Sequence, residues 1–167
     1  RYAQLHQGRD IPNALLRALL ANTATDAGRP GPDFQYGFGV MHAEHAAQAL
    51  ENEWFYSGRL QQGGVYTHTI TLPASASAVR VMLVWNDPAV AKVYALRDKV
   101  LVNDLDLTVR ASGKDWQPWV CDPSKGNVEK DATRGKDNLN NIEQVTLTRA
   151  ELGNARILKM DVAARRV

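Results

Sequence analysis

Leu101-Val102-Asn103-Asp104-Leu105-Asp106-Leu107-Thr108-Val109 is the stretch on which the reading of this chain turns. Taken with a period of two, it divides into two faces. Leu101, Asn103, Leu105, Leu107 and Val109 form one face and belong in a core. Val102, Asp104, Asp106 and Thr108 form the other, which Arg110 continues. Asp104 and Asp106 thus stand one strand period apart, about 7 Å. Two like charges that close require a cation, an arginine or lysine partner, or open water.

Outward from this strand, the period of two covers most of the chain after residue 52. Further strands are expected near 53–60, 65–72, 78–86, 116–121, 142–149 and 156–164, with the opening stretch extended to 100–111. Gln61-Gln62-Gly63-Gly64 reads as a hairpin turn. Val79 to Trp85 is apolar at nearly every position after Arg80, the pattern of a central strand covered on both sides. In the last strand Leu158, Met160 and Val162 should face inward, and Lys159 and Asp161 outward. Short strands separated by turns, with no helices among them, predict a mainly β fold: an antiparallel β-sandwich or jelly roll. Two connections, 87–99 and 122–141, are long enough to be functional or disordered.

Residues 1–52 read differently. Pro12 sits where a helix can begin. Leu15, Leu16, Leu19 and Leu20 recur at helical spacing over Asn13–Thr25, with Arg17 opposite. Gly28-Arg29-Pro30-Gly31-Pro32 breaks the pattern, and a second helix is expected over Met41–Asn52, burying Met41, Ala46, Ala49 and Leu50. The division predicted is therefore 1–52, helical, and 53–167, β-sandwich.

Composition narrows the function. Twenty basic and eighteen acidic residues give a net charge of +2, with the signs interspersed, so no nucleic-acid footprint is expected. Apolar runs are far too short to span a membrane. The single cysteine, Cys121, excludes an internal disulfide and is expected to act as a small apolar residue. The start Arg1-Tyr2-Ala3, without initiator Met or signal-like segment, reads as a piece of something longer.

Two blocks carry a resemblance. The first is Pro12 to Ala24, then Gly31-Pro32-Asp33, then Tyr36-Gly37-Phe38-Gly39-Val40-Met41-His42-Ala43. It resembles the end of a subtilisin-like serine protease domain, where a helix leads through a glycine–aromatic–glycine turn to a closing helix. The second is Leu83-Val84-Trp85-Asn86-Asp87, then Leu101 to Leu107, then Asp137-Asn138-Leu139-Asn140-Asn141-Ile142-Glu143-Gln144-Val145. It is similar to the jelly-roll-like β-barrel that follows the catalytic domain in one branch of secreted bacterial subtilases, related in architecture to the P domain of proprotein convertases. Together the blocks cover most of the chain.

The resemblance implies a C-terminal portion of a serine endopeptidase, secreted or in the cell envelope, acting on protein substrates through the rest of the parent. Its β domain would stabilise the catalytic domain or help place substrate. The catalytic residues do not carry over. The family's nucleophile lies in a Gly-Thr-Ser motif, absent here, and the five serines (Ser57, Ser75, Ser77, Ser112, Ser124) fall in turns or strand ends. The chain departs from the pattern in the short turn Ala111-Ser112-Gly113-Lys114 and in stopping where one more strand would close the barrel. Self-association through the helices, or through a sheet edge left open, is expected. The alternative is a non-catalytic module that binds a glycan or a protein surface.

Barrels of this family often hold calcium, which takes six to eight oxygen ligands. Asp87, Asp104, Asp106, Asp137, Asn141 and Glu143 are the candidate ligands, with Asn140 beside them. Alternatively, the asparagines satisfy loop backbone and the aspartates pair with lysine or arginine. His42 and His45, three apart on a helix, lack a third ligand and are expected to pack or cap. Asn103 is expected to pin the 87–99 connection. Trp85, Trp116 and Trp119 would either line a sugar-binding face or pack in the core and between strands.

Overall fold

The structure, a computed structural model, describes residues 2–90 and 99–166. It divides into two compact units. One comprises residues 1–59 and 121–132, the other residues 60–120 and 133–167. The boundary thus falls after Arg59, and a piece of the polar 122–141 connection belongs with the helical unit.

In the helical unit, α1 (Tyr2–Leu5) precedes α2 (Asn13–Asn22) and α3 (Ala43–Glu51). Pro12 stands at the N-cap of α2, where its missing N–H costs nothing. Leu15 and Leu19, one turn apart on α2, meet Ala46 and Ala49 of α3. Leu16 lies off this face and stays 43% exposed. Met41, expected to be buried, is 62% exposed. It precedes the His42 N-cap and so never joins the helix face. Between the helices, Asp33 accepts the amides of Arg29, Gln35 and Tyr36. The Tyr36 amide foremost, then that of Arg29, holds the Asp33 carboxyl below the usual carboxylate range. Gly39 closes this loop at a φ of 108°, where any Cβ would strike the Thr25 carbonyl.

Residues 53–60 are not a strand. The Glu53 and Trp54 amides are taken by Leu50 and Ala49, so the alternating Glu-Trp-Phe-Tyr pattern is spent unwinding α3. The turn at 61–64 therefore closes no hairpin. It leads into β1 (Val65–Thr71).

The β unit continues with β2 (Ala78–Val84), β3 (Asp104–Ala111), β4 (Lys114–Trp116), β5 (Trp119–Val120), β6 (Thr133–Arg134), β7 (Ile142–Thr148) and β8 (Ile157–Arg166). All pairings are antiparallel. The main sheet runs β1-β8-β3-β4, and β2–β7 and β5–β6 form two smaller ones, so among the described residues no sheet closes into a barrel. The fold is mainly β, as the alternation implied. Pro118, which has no amide hydrogen, splits the strand expected over 116–121. One short helix, α4 (Arg149–Leu152), does lie among the strands. Thr148 and Glu151 cap it reciprocally, each side chain meeting the other's backbone N–H.

Leu107 and Val109 from β3, Val81 from β2, Val145 and Leu147 from β7 and Leu158 from β8 share one core with Leu152. Each fully buried leucine there contributes about 1.5–3 kcal/mol. The expected central strand at 78–86 is instead half of a two-stranded sheet, and within β2 only Val81 is buried. A continuous apolar run does not by itself distinguish one covered face from two. β3 does hold an interior position, between β8 and β4. Its turn into β4 places Ser112 and Gly113 at φ of 50° and 74°, the positive values of a two-residue type I′ turn.

Candidate functional site: the acidic strand and its partners

β3 delivers its two faces as its period dictates. Leu105, Leu107, Val109 and Ala111 are buried, Asp104 and Thr108 half-buried, and Arg110 exposed. Asp106 departs from this. It belongs to the polar face yet is 6% exposed. Lys136 Nζ and Arg165 Nε both reach its Oδ2, at 2.9 and 2.7 Å. Burial pushes the Asp106 pKa up, but these two cations outweigh it and hold the carboxyl below its ordinary range. Asp104 pairs with Lys99 at 3.1 Å through Oδ2. Each carboxylate of the strand has its own cation.

The other candidates are engaged nearby. Asp87 accepts the amides of Val102 and Asn103 at 2.8 and 2.7 Å, tying the end of β2 to the approach to β3. Asn103 joins this tie through its backbone, its carbonyl taking the Trp85 indole N–H at 3.0 Å. Most of the 87–99 connection, residues 91–98, lies outside the described residues. Asp137 accepts from the Leu139 and Asn140 amides and from the Asn140 side chain. Asn141 donates to the Trp85 carbonyl at 2.8 Å. The Asn141 side chain thus serves strand-end backbone, whereas that of Asn140 bonds the Asp137 carboxylate, which itself takes the loop amides.

Glu143 is the unusual member. On β7 it is 1% exposed, and its Oε2 accepts the Leu107 amide at 2.6 Å. Burial, above all, pushes its pKa up to about 8. The Leu107 amide opposes that shift, the negative charges of Asp106 and Asp137 add to it, and the Asp137 amide opposes it weakly. At neutral pH the group is held mostly as the neutral acid. Its Oε1 has no hydrogen-bond partner, and neither does Oδ1 of Asp104, another buried oxygen. Among the described residues no three His, Cys, Asp or Glu gather as a metal cluster would.

Trp85, Trp116 and Trp119 each engage other residues of the β unit. Trp85 is buried. Trp119 donates to the Thr146 hydroxyl at 2.7 Å, and the Arg134 guanidinium lies 3.6 Å from its ring centroid. Trp116 is half-buried against the core. His42 caps α3 by accepting the His45 amide and stacks on the His45 ring. Cys121 is half-buried with its thiol against the Pro32 carbonyl at 3.1 Å.

Lys136, Arg165 and Arg134 are the residues that sequence reasoning missed. Lys136 and Arg165 lie 30 and 59 positions from the carboxylate they satisfy. No local period links them, and only the demand for a counter-charge pointed to such partners. The chain matches no family model, and no curated protein matches it. Among the described residues no helix is long and apolar enough to cross a membrane.

Proposed function

We propose that the chain is the C-terminal part of a subtilisin-like serine endopeptidase. The helices close its catalytic domain. The β unit is a jelly-roll-like accessory domain that stabilises that domain or helps position protein substrate. The missing catalytic core and the triad would lie upstream, in a secreted or envelope-bound parent. The observation that carries this reading is the apolar surface of the helical unit. Among the described residues, Leu15, Leu19, Ala46 and Ala49 form its buried cluster, while Leu16, Phe34, Tyr36, Val40, Met41 and Trp54 are exposed. An exposed apolar surface marks a place where a partner is bound, and together with the sequence resemblance that partner is read as the rest of a larger α/β domain. The coding sequence upstream of Arg1 tests the reading. A Gly-Thr-Ser at the start of a short helix, and labelling of that serine by a fluorophosphonate in the whole product, are expected. A reading frame without that motif overturns the proposal.

Calcium is the ligand proposed for the acidic set, supported by the two orphaned oxygens, Asp104 Oδ1 and Glu143 Oε1. Binding there would displace the Glu143 proton, so affinity rises with pH. Melting at pH 8.5 with millimolar calcium, then with excess chelator, decides it. A rise that chelator reverses supports the site, and an unchanged midpoint removes it.

A further inference from the structure

The main sheet treats its two edges differently. At one edge β4 is three residues long, Lys114-Asp115-Trp116, with two charged side chains. Short length and charge are how natural sheets guard an edge. At the other edge β1 is seven residues, Val65-Tyr66-Thr67-His68-Thr69-Ile70-Thr71. It contains no Lys, Arg, Asp, Glu or Pro, and its register with β8 runs from Val65↔Ala163 to Thr71↔Ile157 without a bulge. Neither charge, proline, short length nor a bulge guards this strand.

The parity of the ladder shows which groups point outward. Ala164 donates to the Gly64 carbonyl, and Leu72 donates to the Arg156 carbonyl. In an antiparallel ladder the hydrogen-bonded positions alternate. Tyr66, His68 and Ile70 therefore turn their backbone groups toward β8. Val65, Thr67, Thr69 and Thr71 turn theirs away from it. All four of these residues are exposed, and no backbone hydrogen bond to another described residue occupies that side.

The strand is also complementary to itself. Laid antiparallel on a second copy about a twofold axis at His68, Thr67 falls opposite Thr69, Tyr66 opposite Ile70, and Val65 opposite Thr71. Threonine pairs and aromatic–β-branched pairs are favourable cross-strand neighbours, and no like charges meet. This register also sets outward-bonding residues against outward-bonding residues, so every free N–H and C=O of the four finds a partner. Shifting the axis to Thr67 or Thr69 leaves one end of the strand unpaired.

We propose that β1 is a homodimer interface, the free edge of Val65–Thr71 pairing antiparallel with the same edge of a second copy about a twofold at His68. The contact is isologous and closes on itself. It joins two four-stranded sheets into one continuous sheet. It does not depend on the protease reading.

Cysteine crosslinking of the full chain tests both the contact and its register, in a Cys121→Ser background. At the axis, His68 faces its own copy across a non-hydrogen-bonded pair, about 4.5 Å between Cα atoms. That is within disulfide reach. Thr67 lies diagonal to its copy at about 7–8 Å, beyond reach. Mild oxidation should convert His68→Cys to a covalent dimer, while Thr67→Cys stays monomeric on a non-reducing gel. Adding Thr69→Pro, which removes an outward donor and no bond to β8, should abolish the crosslink. In sedimentation velocity Thr69→Pro alone should halve the mass of the unmodified chain with its far-UV circular dichroism unchanged. Equal crosslinking of the two cysteine variants, no crosslinking of His68→Cys, or an unmodified chain that sediments as a monomer overturns the proposal. Association through the helical surface would leave the Thr69→Pro mass unchanged, and that too counts against it.

Discussion

The β unit and the helical unit are built to different standards. In the first, Leu107, Leu147, Leu152, Leu158, Val109 and Val145 are 0–1% exposed, and the main sheet and the β2–β7 sheet supply side chains to the same core. In the second, two leucines and two alanines at 6–7% exposure are the buried cluster, and large apolar side chains face outward. A domain persists when buried apolar area offsets the entropy of ordering its chain. The β unit has the larger buried apolar cluster with which to meet that condition. The helical unit buries less and exposes more apolar surface, and that difference is the physical ground on which the proposed parent rests.

The largest test of this contrast is Leu107→Ala. Emptying a fully buried position should cost about 2–5 kcal/mol, read from urea unfolding by the fluorescence of Trp85, Trp116 and Trp119. A loss below about 1 kcal/mol would show that this core is looser than its exposure suggests.

Next comes the buried acid. Glu143 has a folded pKa of about 8 against an ordinary value of 4.5. The folded state therefore holds a proton that the unfolded state has released between those two values. Stability should fall as pH rises through this window, by something of order a few kcal/mol, and level off above it. Glu143→Gln, which keeps an acceptor for the Leu107 amide, should remove that slope and exceed the parent in stability at pH 9. Parallel pH profiles for the two proteins would contradict the assignment. Asp106 acts in the opposite direction: its pKa is lowered, so its contribution is present above the ordinary carboxylate range and fades on acidification.

Thr148→Ala removes the reciprocal cap of α4, and a loss of about 1 kcal/mol is expected in the same unfolding assay. The smallest effect belongs to the helical unit. Leu16→Gln should change stability by no more than about 0.5 kcal/mol while raising solubility, because its side chain joins no buried cluster. A loss comparable to that of Leu107→Ala would erase the distinction between the units.

Much of the fold was legible because it rests on local repetition. The alternation read over 100–111, 142–149 and 156–164 became β3, β7 and β8 with shifted ends, and Pro12 and the Leu15/Leu19 pair marked α2. Failures came where a pattern had two physical outcomes. Glu53-Trp54-Phe55-Tyr56 alternates like a strand, but the end of α3 had already claimed its amides. Met41 has the right composition for a helix face and the wrong side of the cap. The site was legible as a need and not as an answer: Asp104 and Asp106 announced that two charges had to be satisfied.

By itself, then, the sequence determined the antiparallel β character, the helical opening, the turn at Ser112-Gly113 and the two faces of β3. Each of these follows from periods and turn chemistry that act within a few residues. Only the tertiary structure decided that Asp106 would be answered by Lys136 and Arg165, that Glu143 would lie buried beneath the Leu107 amide, and that β1 would stand at the end of the main sheet. Those outcomes depend on which distant strands become neighbours, and pairing over such separations leaves no period in the chain to read.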